Sequence, residues 1–170
     1  MPLQIVLLGL FPAVMAFAAA SDLLTMTISN RVSLALILGF FLAAFLIGMP
    51  YAEMGQHVLA ALAVLAVAFS CFAMGWIGGG DAKLAAATAL WFGFSHLMDY
   101  LLLAGMFGGV LTLVLLALRQ WPLPAMFARQ PWIARLHDMK TGIPYGIALA
   151  IAGLMVYPDT AFIHALATGN

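Results

Sequence analysis

The 170-residue chain is 66% hydrophobic and 7% charged, with a mean hydropathy of +1.13. That excludes an ordinary soluble globule, in which close to half the residues are apolar. Six Lys and Arg balance six Asp and Glu, so no nucleic-acid partner is expected, because a phosphate-binding surface needs clustered positive charge. The one cysteine, Cys71, excludes a disulfide framework and a CxxC-type zinc cluster, and its apolar surroundings read as the site of a small buried side chain.

The composition predicts an all-α, polytopic membrane protein forming a single domain over 1–170, since a helix satisfies its own backbone and crosses the hydrocarbon in about 20 residues. In chain order the apolar runs are Leu3 to Ala20, Val32 to Met49, His57 to Ile77, Leu84 to Phe94 (extendable to Met98), Leu101 to Leu118 and Ile143 to Tyr157, where Pro158 and Asp159 interrupt. They are continuous and rich in Leu and Ala, so they read as helices rather than alternating barrel strands. About six transmembrane helices follow. Ala18 to Ser21 resemble a signal-peptide cleavage site, but Met1 to Gln4 lack the basic start of a signal, so the first run reads as a retained helix.

All six basic residues, Arg31, Lys83, Arg119, Arg129, Arg135 and Lys140, fall in the loops after the first, third and fifth runs. Positive residues mark cytoplasmic loops, so both termini are expected outside and the 119–142 loop in the cytoplasm.

This sorts the acids. Asp138 sits in a polar loop beside His137 and Lys140 and reads as solvated. A helix continued from Asp22 to Arg31 would set the carboxylate about 13 Å along the axis from the arginine. Asp81 follows Gly78, Gly79 and Gly80 and precedes Lys83, nearer the same rim. Each acid fits a helix cap or a partner of Lys83 or Arg31, and each fits a functional carboxylate facing a wet cavity. The three glycines favour function, because they let a backbone or neighbouring helix approach closely. Two adjacent carboxylates that share a proton can take a proton from water and give one to a carbonyl oxygen, the chemistry of aspartic proteases. Glycine-rich helix breaks also line transporters. A small ion-coupled transporter using Asp22 and Asp81, or a noncatalytic assembly subunit of a pilus or secretion machine, therefore stays open on the residues alone.

Gly78, Gly79, Gly80 and Asp81 match the GxGD pattern, and Lys83 and Leu84 continue it. Asp22, Ile28, Ser29 and Asn30 are similar to a first motif in which Ser29 stands where proline is usual. Ile143, Pro144, Tyr145 and Gly146 resemble a C-terminal motif. In these stretches the chain resembles the type IV prepilin peptidases, a family of GxGD intramembrane aspartyl proteases. The resemblance implies Asp22 and Asp81 as the catalytic pair, and Gly78, Gly80, Lys83, Asn30, Pro144 and Gly146 as residues that bind substrate or shape the site. It implies a prepilin or pseudopilin substrate, cleavage of its basic leader at the cytoplasmic face of the bacterial inner membrane, and no cofactor. The absence of a CxxC-bearing insert between Asp22 and Arg31 resembles the short branch serving tight-adherence (Tad, Flp-type) pili, which implies peptidase without methyltransferase activity.

His57, His96, His137 and His164 show no i, i+4 pairing and predict no metal site. The serines Ser21, Ser29, Ser33, Ser70 and Ser95 lack a nucleophile context. Trp121, Trp132, Arg119, Arg129 and Arg135 read as a loop anchored to lipid headgroups.

Overall fold

The computed structural model describes residues 2–167, with side chains over 9–164. All the regular structure among them is helical: α1 Pro2–Thr25, α2 Asn30–Leu46, α3 Tyr51–Ala73, α4 Gly79–Leu118, α5 Ala125–Ala128, α6 Pro131–His137, α7 Tyr145–Val156, a short 3-10 turn Tyr157–Asp159, and α8 Ala161–Ala167. α3 and α4 are long and apolar enough to cross a membrane, and α1, α2 and α7 contribute shorter apolar stretches.

α4 is two arms rather than one rod. Gly93 has φ 56° and ψ −166°, a conformation open essentially to glycine alone. In a straight helix Asp81 and Thr112 would be about 46 Å apart, yet they line one cavity, and the Phe92 and Tyr100 rings lie 5.1 Å apart. The chain therefore reverses at Gly93. The fourth and fifth apolar runs are thus separate antiparallel arms, 79–92 and 94–118. The sequence reading ends the fourth run at Phe94, extendable to Met98, and starts the fifth at Leu101, so the expected boundary falls after the true one. Apolar Phe94 and Leu97 disguise the turn in the sequence, whereas the backbone breaks where a side chain is absent. The ring of His57 covers the break, its Nδ1 2.8 Å from the Leu90 carbonyl oxygen.

A second reversal corrects the expected continuation of α1 to Arg31. α1 stops at Thr25, and Met26 takes φ 57°. Polar side chains hold the turn: Ser21 Oγ donates to the Thr27 carbonyl at 2.9 Å and Thr25 Oγ1 to that of Ser21 at 2.7 Å. Ser29 then caps α2, accepting from the Arg31 N–H at 3.3 Å. The 13 Å depth inferred for Asp22 therefore does not hold, because no helix joins it to Arg31. The chain also forms α8 beyond Pro158 and Asp159, where the sequence reading placed nothing.

The aromatic part of the core lies toward the end of the bundle opposite Asp22. Phe11 of α1 stacks on Tyr157 at 4.5 Å and meets Trp91 at 5.1 Å, and Phe162 of α8 reaches Trp91 at 5.0 Å. Trp91 Nε1 donates to the Leu36 carbonyl at 2.9 Å, so its indole is buried without an orphaned donor. This aromatic plug fixes α1, α2, α4 and α7 at one end and sets the spacing of their other ends, where the carboxylates sit. Cys71, expected to be buried, is only partly so.

Candidate active site

Helix ends build the site. α3 closes on Gly75 at φ 75°, with the Trp76 N–H bonded to the Cys71 carbonyl at 2.9 Å and the Gly75 N–H to that of Phe72, a Schellman-type stop. The chain then turns through Ile77 to Gly78, the N-cap of α4. Asp81 falls in the first turn of α4, and its carboxylate takes a hydrogen bond from the Gly78 backbone. This is the acidic half of a capping box. Asp22 lies in the last turn of α1, 5% exposed. Its Oδ2 accepts the Gly146 N–H at 2.7 Å across 124 residues. Gly146 is in the first turn of α7, after Pro144 as N-cap, and its amide is one of the donors that a helix start leaves without an internal acceptor. Each carboxylate is thus held by the amide end of a different helix, where the backbone dipoles favour negative charge.

Asp22 and Asp81 line the same cavity, about 750 Å³ in volume, together with Gly78, Thr112, Arg119 and Tyr145. They also line a smaller one of about 240 Å³ with Thr27, Ile28 and Gly80. They are close enough for the Asp22 charge to act on Asp81. The glycines create the approach. A Cβ on Gly146 would lie 2.7 Å from Ile28 Cδ1 and 2.8 Å from Asp22 Oδ2, and one on Gly80 would lie 3.1 Å from Ile28 Cβ. The room at Gly80 is therefore filled by the α1–α2 turn of the chain itself.

Not every expected residue joins them. Lys83 Nζ donates to Asn30 Oδ1 at 2.8 Å, and this pair lines a separate, apolar groove between α2, α3 and α4. Lys83 points there because it lies two residues past Asp81, on another face of the helix. Pro144 is fully buried and acts on the site by starting α7. Among the described residues no cluster of His, Cys, Asp and Glu could hold a metal ion.

The sequence reading missed Arg119 and Thr112 at the site, and had Tyr145 only as part of the C-terminal motif. Arg119 and Arg135, read from the sequence as lipid-headgroup anchors, also bind the chain itself. Arg119 donates through Nε to the Leu136 carbonyl at 2.8 Å and through Nη2 to that of Gly142 at 3.0 Å. Arg135 donates to the Leu24 carbonyl at 2.9 Å, one of the acceptors left open at the end of α1. A guanidinium offers five donors in a fixed fork and suits such bare carbonyls. The two ties bind the 119–142 segment against the carboxylate end of the bundle.

Comparison with known proteins adds the following. The model of the type IV leader peptidase family matches residues 9–113, a stretch that includes both aspartates and the reversal at Gly93. No curated protein matches the chain, and no solved structure does.

Proposed function

The chain belongs to the type IV leader peptidase family, a family of proteases, and from that membership we propose an intramembrane aspartyl endopeptidase that removes the leader of Flp/Tad-type prepilins. One observation carries the aspartyl reading: Asp22 and Asp81, from helices far apart in sequence, line one cavity. A water between them attacks the carbonyl carbon of the scissile bond and gives its proton to the ionised carboxylate, while the protonated one donates to the carbonyl oxygen. The tetrahedral diol then collapses, breaking the C–N bond as the leaving nitrogen takes a proton from the pair. The Gly146 and Gly78 amides orient the two carboxylates throughout.

We read α1, α2, α3, the two arms of α4, and α7 as six membrane crossings with both termini outside. The carboxylate end faces the cytoplasm of a bacterial inner membrane, because Lys83, Arg119 and Arg135 gather there. A bond just inside the substrate's apolar segment then reaches both acids. The absence of a cysteine-bearing insert favours peptidase without methyltransferase activity.

The test is co-expression with a prepilin of Asp22→Asn and Asp81→Asn, each of which removes a charge at nearly constant shape. Leader removal should fall by at least about 100-fold in each, with normal membrane insertion. Undiminished processing by either variant overturns the aspartyl reading. Intact processing together with lost proton-coupled uptake would favour a transporter.

A further inference from the structure

A second, apolar groove lies outside the carboxylate site. Between α2, α3 and α4 runs a groove of about 520 Å³ walled by Ile37, Phe41, Leu62 and Leu65, with Lys83 and Asn30 at one end. Its other polar group, the Ser33 hydroxyl, is buried, so the walls present hydrocarbon and the charge is confined to the Lys83 end.

Three features define what fits. The groove extends along α2 from Asn30 to Phe41, about 16 Å at the helical rise. That is about half of the roughly 30 Å hydrocarbon thickness of a bilayer, the depth of one leaflet. Apart from the buried Ser33, the groove's walls are hydrocarbon over that length, which suits an acyl chain. Lys83 is exposed and pairs with the neutral Asn30 rather than with a carboxylate. One bond to Asn30 leaves two of the three ammonium donors for an anion. Arg31, also exposed, follows Asn30 in the chain.

We propose that this groove is a binding site for an anionic phospholipid of the cytoplasmic leaflet, with one acyl chain along α2 and the phosphate on Lys83. Apolar length and charge occur in the order in which such a lipid presents them from bilayer centre to headgroup. The site rests on the membrane reading of the chain and is independent of the aspartate chemistry. The proposal commits to lipid over a substrate helix on the one-leaflet length and on the exposed cation at the headgroup end.

Native mass spectrometry of the purified full chain tests it, in detergent micelles carrying equal phosphatidylglycerol and phosphatidylcholine. Wild type should retain one phosphatidylglycerol at least fivefold over phosphatidylcholine. Lys83→Met should abolish that preference and Lys83→Arg should restore it. Leu62→Trp, on a half-exposed wall position, should displace both lipids by filling the groove. Equal retention of the two lipids by wild type, or undiminished phosphatidylglycerol preference in Lys83→Met, overturns the proposal. So does stoichiometric displacement of the lipid by a synthetic apolar 20-residue helix. Circular dichroism and the melting temperature identify any variant that fails to fold, and Lys83→Arg then decides whether charge or shape is required.

Discussion

The Gly146 amide and the Asp22 carboxylate meet at 2.7 Å although 124 residues separate them. The bond joins the last turn of the first helix to the first turn of α7, so the position of one proposed catalytic acid depends on a helix start from the far end of the sequence. No side chain fits between them, since a Cβ on Gly146 would lie 2.8 Å from Asp22 Oδ2.

Gly146→Ala should therefore displace Asp22 and lower leader removal by about 100-fold, the scale expected for a misplacement near 1 Å. Gly109→Ala is the companion variant, because nothing lies within 4 Å of a Cβ there, and it should process at the wild-type rate. Equal rates in both variants, measured on a co-expressed prepilin, would show that Asp22 does not require this bond.

Gly80→Val should keep expression and lose processing. The added methyls would enter the space of Ile28, whose Cβ lies 3.1 Å from a Cβ on Gly80, and would push the α1–α2 turn from the smaller cavity. Gly80→Ala needs a shift of only tenths of an ångström and should retain partial activity. Wild-type rates in Gly80→Val would mean that the turn moves freely during catalysis.

At Gly93 the expected effect is on stability. Any Cβ there meets the His57 ring at 2.8 Å and must adopt φ 56°. Gly93→Ala should cost about 1–3 kcal/mol and lower the melting temperature, with a further loss from displacing His57. Thermal unfolding in detergent measures it, and an unchanged midpoint would mean that the two arms of α4 do not depend on this turn.

Membrane orientation can be read with cysteines placed in a Cys71→Ser background. Position 56 should label from outside and position 130 from inside only. Labelling of position 130 from outside would invert or break the proposed six-crossing topology.

Substrate depth gives a further outcome. If the acids lie at the cytoplasmic rim, as proposed, the cut should fall just on that side of the prepilin's apolar segment, after a small residue, where a glycine lowers the cost of leaving the helix. Mass spectrometry of the mature pilin locates the cut, and a junction Gly→Val should reduce it. A cut deep within the apolar segment is incompatible with the reading.

The parts of this molecule written in side-chain chemistry were legible in its sequence. Three glycines before Asp81 announced a close approach to an acid, and hydropathy separated the helical arms to within a few residues. The parts made by backbone groups were not. Met26 is an ordinary helix former, and nothing in its side chain signals a left-handed conformation. Apolar Phe94 and Leu97 kept the hydropathy high past Gly93, so the expected turn falls after it. The partners of Arg119 and Arg135 are carbonyl oxygens, which leave no mark in a pattern of charges, so both were given to lipid. The family resemblance groups Lys83 and Asn30 with the aspartates, but Lys83 lies two residues past Asp81, on another face of the helix, and bonds Asn30 there.

Those arginine ties bear on how the chain can drift over evolutionary time. Leu24, Leu136 and Gly142 each contribute only a main-chain oxygen, which any replacement residue would still supply. The two ties thus fix where the main chain runs at these three positions and not which side chains it carries there.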